Sequence, residues 1–152
     1  MKHAALLLAL SGACGGAVAT PAPPIAQAHS PEPQQPPSDA RPSIHGTLVF
    51  PPTAKAGTAV FLLAKHRDAN GKAWGQPLVV TKLVYNGGDL PFVLDESMAM
   101  VAGTDFAGDI LVIARYDTDG DAVTKQPGDF IGEAPAHVPE TGVVVRVTTP
   151  LR

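Results

Sequence analysis

Met98 and Met100 stand two residues apart, so on an extended chain their thioethers project from the same side. Thioether sulfur combined with imidazole makes a soft donor set suited to copper(I). His45, His66 and His137 are the imidazoles that folding would have to bring to it. The same spacing also serves packing, because methionine fills irregular gaps in a core. Parity with Phe92 and Leu94 points both methionines inward as core, and no cofactor or metal is the favoured expectation. Asp117, Asp119 and Asp121 alternate around Gly120 like the start of a calcium loop. Such a loop needs glycine at its sixth position and glutamate at its twelfth. Ala122 and Gly128 occupy those places, so a solvated hairpin turn is expected instead. Asp95 and Glu96 are adjacent, and neighbours on a strand face opposite ways, so they are poorly placed to share a proton. Trp74, the only tryptophan, sits beside Gly75 and is expected to pin a loop, or to serve as a contact residue if exposed.

Catalytic signatures are absent from the sequence. There is no Gly-x-Ser-x-Gly, no His-Glu-x-x-His and no glycine-rich phosphate loop. The expectation is a protein that is not an enzyme. Eleven basic residues stand against fourteen acidic ones with no basic cluster, which argues against nucleic acid as a partner.

The address is written in the first residues. A short positive start, Met1-Lys2-His3, precedes an apolar run from Ala4 to Leu10 and the small residues Ser11-Gly12-Ala13. This is the layout of an export leader, and it is too short to span a bilayer. Cys14, the single cysteine, follows directly, as in a bacterial lipobox, although Ser11 stands where the usual pattern has leucine. The expectation is a leader at 1–13, removed on export, and a lipid on Cys14 that holds the protein to a membrane in the bacterial periplasm. An acylated Cys14 leaves no thiol for disulfide or exchange chemistry. Residues 14–42 then form a linker rich in proline, including Pro21, Pro23, Pro24, Pro31, Pro33, Pro36, Pro37 and Pro42. Such a segment leans towards polyproline II and acts as a semi-stiff tether.

From residue 43 to 152 the hydrophobic period becomes two. Strands are predicted over 44–50, 58–65, 78–84, 92–95, 110–116, 131–136 and 143–147, with a helical turn near 96–101. Pro51-Pro52, Asn70-Gly71, Asn86-Gly87-Gly88, Asp119-Gly120 and Pro127-Gly128 supply the turns. Six or seven short strands in such a length predict an all-β, antiparallel β-sandwich of immunoglobulin-like size.

Several segments recur in a fixed order: Gly57-Thr58-Ala59-Val60-Phe61, Pro77-Leu78 with Lys82-Leu83, and Ala114-Arg115 before a hairpin with Gly120 and Ala122. Pro127-Gly128-Asp129 and Gly132 close the series, and the run Leu90-Pro91-Phe92-Val93-Leu94-Asp95-Glu96-Ser97-Met98-Ala99-Met100 is its most distinctive member. Together they resemble the periplasmic C-terminal domain of the tetratricopeptide-repeat subunit of bacterial cytochrome c maturation. The resemblance implies an immunoglobulin-like sandwich that binds a periplasmic protein, either apocytochrome c or a maturation-complex subunit. Neither the transmembrane helices nor the helical repeats of that family are present, so the chain looks like the terminal domain alone, carried on a lipid. A non-enzymatic accessory of c-type cytochrome biogenesis or respiratory assembly is therefore expected, with Pro91, Phe92, Met98, Met100 and Trp74 as contact residues. A copper(I)-binding lipoprotein using Met98, Met100 and a histidine, or a structural envelope lipoprotein, are the competing expectations.

The anchor is testable directly. Wild-type protein should take up labelled palmitate and fractionate with membranes, and Cys14→Ser should abolish the label and release the protein. A variant that stays membrane-bound, together with an unlabelled wild type, would refute the lipoprotein reading.

Overall fold

The computed structural model describes residues 41–152. The leader at 1–13, Cys14 and the linker up to residue 40 lie outside the described residues. Eight strands and one short 3-10 helix make up the rest: β1 (Ser43–Val49), β2 (Thr58–Arg67), β3 (Ala73–Tyr85), β4 (Leu90–Asp95), η1 (Glu96–Met98), β5 (Gly108–Asp117), β6 (Phe130–Val138), β7 (Glu140–Arg146) and β8 (Thr149–Pro150). They form an all-β sandwich. One sheet has three strands in the order β4-β1-β7, the other five in the order β3-β2-β5-β6-β8. Every pairing is antiparallel except β1 with β7, which run parallel. Among the described residues no helix is long and apolar enough to cross a membrane.

The period-two pattern explains the core. On β2, Val60, Leu62 and Ala64 are fully buried, and Ile110, Val112 and Ala114 on β5 meet them across the ladder. The three-stranded sheet contributes Ile44, Leu48, Leu94, Val143 and Val145 from the other side. Each fully buried Ile or Leu among them stabilises the fold by about 2–5 kcal/mol relative to alanine. An aromatic group closes one end. The rings of Phe50 and Tyr85 lie 4.4 Å apart, and Tyr116 sits 6.0 Å from Phe50 and 5.9 Å from Phe130. The Tyr116 hydroxyl accepts the Lys55 N–H at 2.7 Å and lies 3.1 Å from the Thr58 hydroxyl, so the turn after Phe50 is fastened to β5.

Two glycines permit close approaches: Gly46 to its neighbours within the three-stranded sheet, and Gly132 to the chain that crosses between the sheets. At Gly46 an added Cβ would fall 2.3 Å from the Val143 carbonyl oxygen and 2.5 Å from the Phe92 ring. At Gly132 it would fall 2.2 Å from the Arg146 carbonyl oxygen and 2.8 Å from the Val147 Cα. Neither neighbour is the free end of a flexible side chain, so relief requires backbone to move.

Gly132→Ala and Gly46→Ala should therefore each lower stability by at least about 1–3 kcal/mol, the usual cost of overpacking. Gly87→Ala has nothing within 4 Å of the added carbon, and it tests the cost of the backbone conformation alone. Urea melts of the three variants check this. Equal losses at all three positions would remove close approach as the explanation.

Candidate interaction surface

The segment Leu90 to Asp95 forms one edge of the three-stranded sheet. β4 pairs only with β1 and is the outer strand of the three-stranded sheet. Pro91 suits that place, because proline cannot donate to a ladder on both sides. Residues alternate strictly along β4: Phe92 and Leu94 are buried, whereas Pro91 and Val93 are exposed. On the same outward face, His45 lies opposite Val93, and Thr47 lies between Pro91 and Val144. Val93 and Val144 are 40% and 48% exposed, giving this sheet a modest apolar outer face.

At the end of β4 the chain turns. Asp95 caps η1, its carboxylate accepting the Ser97 N–H at 2.7 Å as well as the Ser97 hydroxyl. These two bonds, with Arg41 nearby, hold the Asp95 carboxyl below the ordinary carboxylate range. Met98 packs partly against the core, and Ala99 bridges to Val79 on β3. Met100 and Val101 then stand 70% and 67% exposed. Thr104 ties the loop back through its N–H and hydroxyl to the Val101 carbonyl at 3.2 and 2.7 Å. Phe106, buried, returns the chain to the core. The result is a short apolar tip held at both ends.

Three sequence expectations need correction here. Phe92 is 5% exposed, with its ring over Gly46, and is core, not contact surface. Met98 and Met100 do not share an inward face, because the Asp95 cap ends the extended backbone before either residue; Met98 is half-buried and Met100 is out. Trp74 does not pin a loop. It lies on β3, 56% exposed, stacked on His66 with centroids 5.2 Å apart. Pro91, Met100 and Trp74 therefore remain accessible.

The copper candidates are dispersed. His45 lies 3.1 Å from the Ser43 hydroxyl on the outer face of the three-stranded sheet. His137 meets Asp109 at 2.8 Å on the outer face of the five-stranded sheet. The sandwich separates these two rings, so they cannot share an ion. Among the described residues no group of three or more His, Cys, Asp or Glu side chains is placed to hold a metal.

Asp119 and Asp121 are exposed and accept the N–H groups of Asp121 and Val123, as a solvated turn requires, but Asp117 is buried and has a different role. Arg115 points into the loop of residues 118–129 and is surrounded by oxygen. Its guanidinium donates to the carbonyls of Ala122 at 2.9 Å and Asp121 at 3.1 Å, and to that of Thr124. It also pairs with Asp117 and, at 3.4 Å, with Asp129, both of whose side chains are fully buried. Asp129 further accepts the Thr118 N–H at 2.9 Å, the Thr118 hydroxyl at 2.8 Å and the Gln126 N–H at 3.0 Å. Burial opposes the Asp129 charge, but these donors and Arg115 outweigh it and hold the carboxyl below its ordinary range. Arg115 thus fills the centre of the oxygen cage, where a calcium loop would place its ion. The sequence carried a signal for this that went unread: an arginine inside an apolar run, followed by a cluster of aspartates.

No protein-family model, curated protein or solved structure matches this chain.

Arg115→Met leaves two buried carboxylates without their cation and should cost about 3–5 kcal/mol. The depressed Asp129 stabilises the fold fully above the unfolded carboxyl value of about 3.9, and that contribution is lost as pH falls through the folded value. Asp129→Asn should therefore flatten the fall in stability below about pH 4. Parallel pH–stability curves for wild type and Asp129→Asn would show that this carboxylate does not drive acid unfolding.

Proposed function

We propose that this chain is a non-enzymatic accessory of c-type cytochrome biogenesis or respiratory assembly, anchored in the bacterial periplasm by a lipid on Cys14. It acts by holding a protein, apocytochrome c or a subunit of the maturation complex, against the β4 edge and the tip that follows it. One observation carries the reading. The segment most like the cytochrome c maturation domain, Leu90 to Met100, is also the one that presents Pro91, Val93 and Met100 to solvent on a braced frame. Exposed apolar residues on rigid backbone mark contact surfaces. Thiol chemistry plays no part, since the one cysteine carries the lipid.

Photo-crosslinking residues placed at Val93 and Met100 should capture one protein from membranes, whereas the same residue at Val123, 87% exposed on the distant loop, should not. Val93→Asp with Met100→Asp should lower capture by about tenfold, equivalent to 1.4 kcal/mol, with an unchanged melt. Capture of the same protein from all three positions, or of none from Val93 and Met100, would sink the proposal.

A further inference from the structure

The two central strands of the five-stranded sheet are apolar on both faces. β2 contains the run Ala59-Val60-Phe61-Leu62-Leu63-Ala64, and β5 the run Ile110-Leu111-Val112-Ile113-Ala114. A continuous apolar run is the pattern of a strand covered on both sides, whereas a strand with one wet face alternates. The inward set forms the core described above. The outward set is laid out by the ladder in adjoining rows. Lys82, Phe61, Arg115 and Ile131 form one row; Val80, Leu63, Ile113 and Glu133 form the next; then come Lys65, Leu111 and Pro135, and last Arg67, Asp109 and His137. Phe61, Leu63, Val80, Ile113 and Ile131 are half-buried. Leu111 is 6% exposed yet is not part of the core cluster, as expected of a residue facing the other way.

Charge divides this face along the strand direction. Lys82, Lys65 and Arg67 lie on the β3–β2 side, with the Lys82 ammonium 5.2 Å above the Phe61 ring. Asp109 and Glu133 lie on the β5–β6 side, where Arg115 is already engaged by its own loop; Asp109 also meets His137 and, at 3.8 Å, Arg67 of the same chain, so this pair straddles the boundary between the two halves. A face that is basic on one half, acidic on the other and apolar between them is complementary to itself.

We propose that the outer face of the five-stranded sheet is a self-association surface, on which a second copy of this chain packs about a two-fold axis parallel to the strands and running between β2 and β5. That axis lays β2 of each copy on β5 of the other, and β3 on β6. Leu63 then meets the second copy's Ile113, twice. The Arg67–Asp109 pair of one copy meets that of the other in reverse order, so each Arg67 comes over the second copy's Asp109 and the four charges alternate, and Lys82 comes beside the second copy's Glu133. An axis across the strands would instead stack the three basic residues of one copy on those of the other. Four strands at about 4.8 Å and eight residues at about 3.3 Å give roughly 500 Å² per copy. The total of about 1,000 Å² is the lower limit of specific interfaces, so the dimer is weak and concentration-dependent. The surface is separate from the β4 edge, and the inference stands independently of the proposed function.

The test is a charge exchange in trans, using the full chain with Cys14→Ser in density-matched detergent that shields the leader. Sedimentation equilibrium of this protein should show a monomer–dimer equilibrium. Arg67→Glu alone sets carboxylate against carboxylate within each copy and across each half of the interface, and Asp109→Arg alone does the same with guanidiniums. Each should weaken dimerisation at least about tenfold. Mixed together, the two variants are complementary at both contacts and should form a one-to-one heterodimer near wild-type strength. Lys82→Glu mixed with Glu133→Lys supplies a second pair at exposed positions, should either of the first variants melt early. A wild type that is monomeric at all concentrations, single variants that dimerise like wild type, or mixtures no stronger than their components would each overturn the proposal.

Discussion

The missing Cβ at Gly132 is the constraint on which the closure of the sandwich depends. The chain leaves the three-stranded sheet at Arg146 and must reach the five-stranded sheet by Thr149 to pair with β6. It does so by passing its backbone directly over Gly132, closer than any side chain would allow. The crossing is fastened on both sides: the Val147 N–H donates to the Val49 carbonyl at 2.8 Å, and the Leu151 N–H to the Asp129 carbonyl at 2.9 Å. Val147, wholly buried, fills the space below. Gly46 plays the matching part on the opposite layer, where the Phe92 ring takes the volume a side chain would occupy. With these approaches available, β1 can sit between β4 and β7.

The two rims of the sandwich are stiffened by different physics. At the rim carrying residues 118–129 the loop has almost no apolar content, and a buried cation organises it instead. Arg115 draws carbonyls and carboxylates inward, and the backbone N–H groups of Thr118, Gly120 and Gln126 satisfy the carboxylate oxygens left over. At the other rim, between β4 and β5, a cap at Asp95, a bridge at Ala99 and a buried Phe106 suffice. That rim leaves apolar side chains outside. The first arrangement buries the side chains of Asp117 and Asp129 around Arg115, and the second leaves Met100 and Val101 exposed.

Much of the fold was legible because burial on one face imposes period two. The seven predicted strands all exist, and the turn near Glu96 is there. What escaped was non-local or locally disguised. The first half of β3 reads Trp74-Gly75-Gln76-Pro77, polar and glycine-rich, and pairs with β2 only after an irregularity between Ala64 and His66. The parallel β1–β7 pair joins the two ends of the domain, and no local pattern announces partner choice. The exposure of Met100 was misjudged by carrying strand parity past Asp95, although an aspartate before Glu96-Ser97 is a capping residue and a reason to stop the strand there. The inward role of Arg115 needed the loop's return path, which spacing alone does not supply.

The direction of the tether bears on how the proposed contact edge would be used. Ser43 opens β1 and pairs with Asp95, the last residue of β4. The chain before it, at Arg41, lines a shallow cavity together with Glu96, Ser97, Ala99, Val101, Ala102 and Gly103. Arg41, where the described residues begin, therefore lies beside the Met100–Val101 tip and not at the Arg115 rim. A partner held at the proposed β4 edge would then lie beside the point where the chain enters β1. The outer face of the five-stranded sheet lies on the opposite side of the core. A second copy there would leave both contact edges open, so association and partner binding need not compete for the same surface.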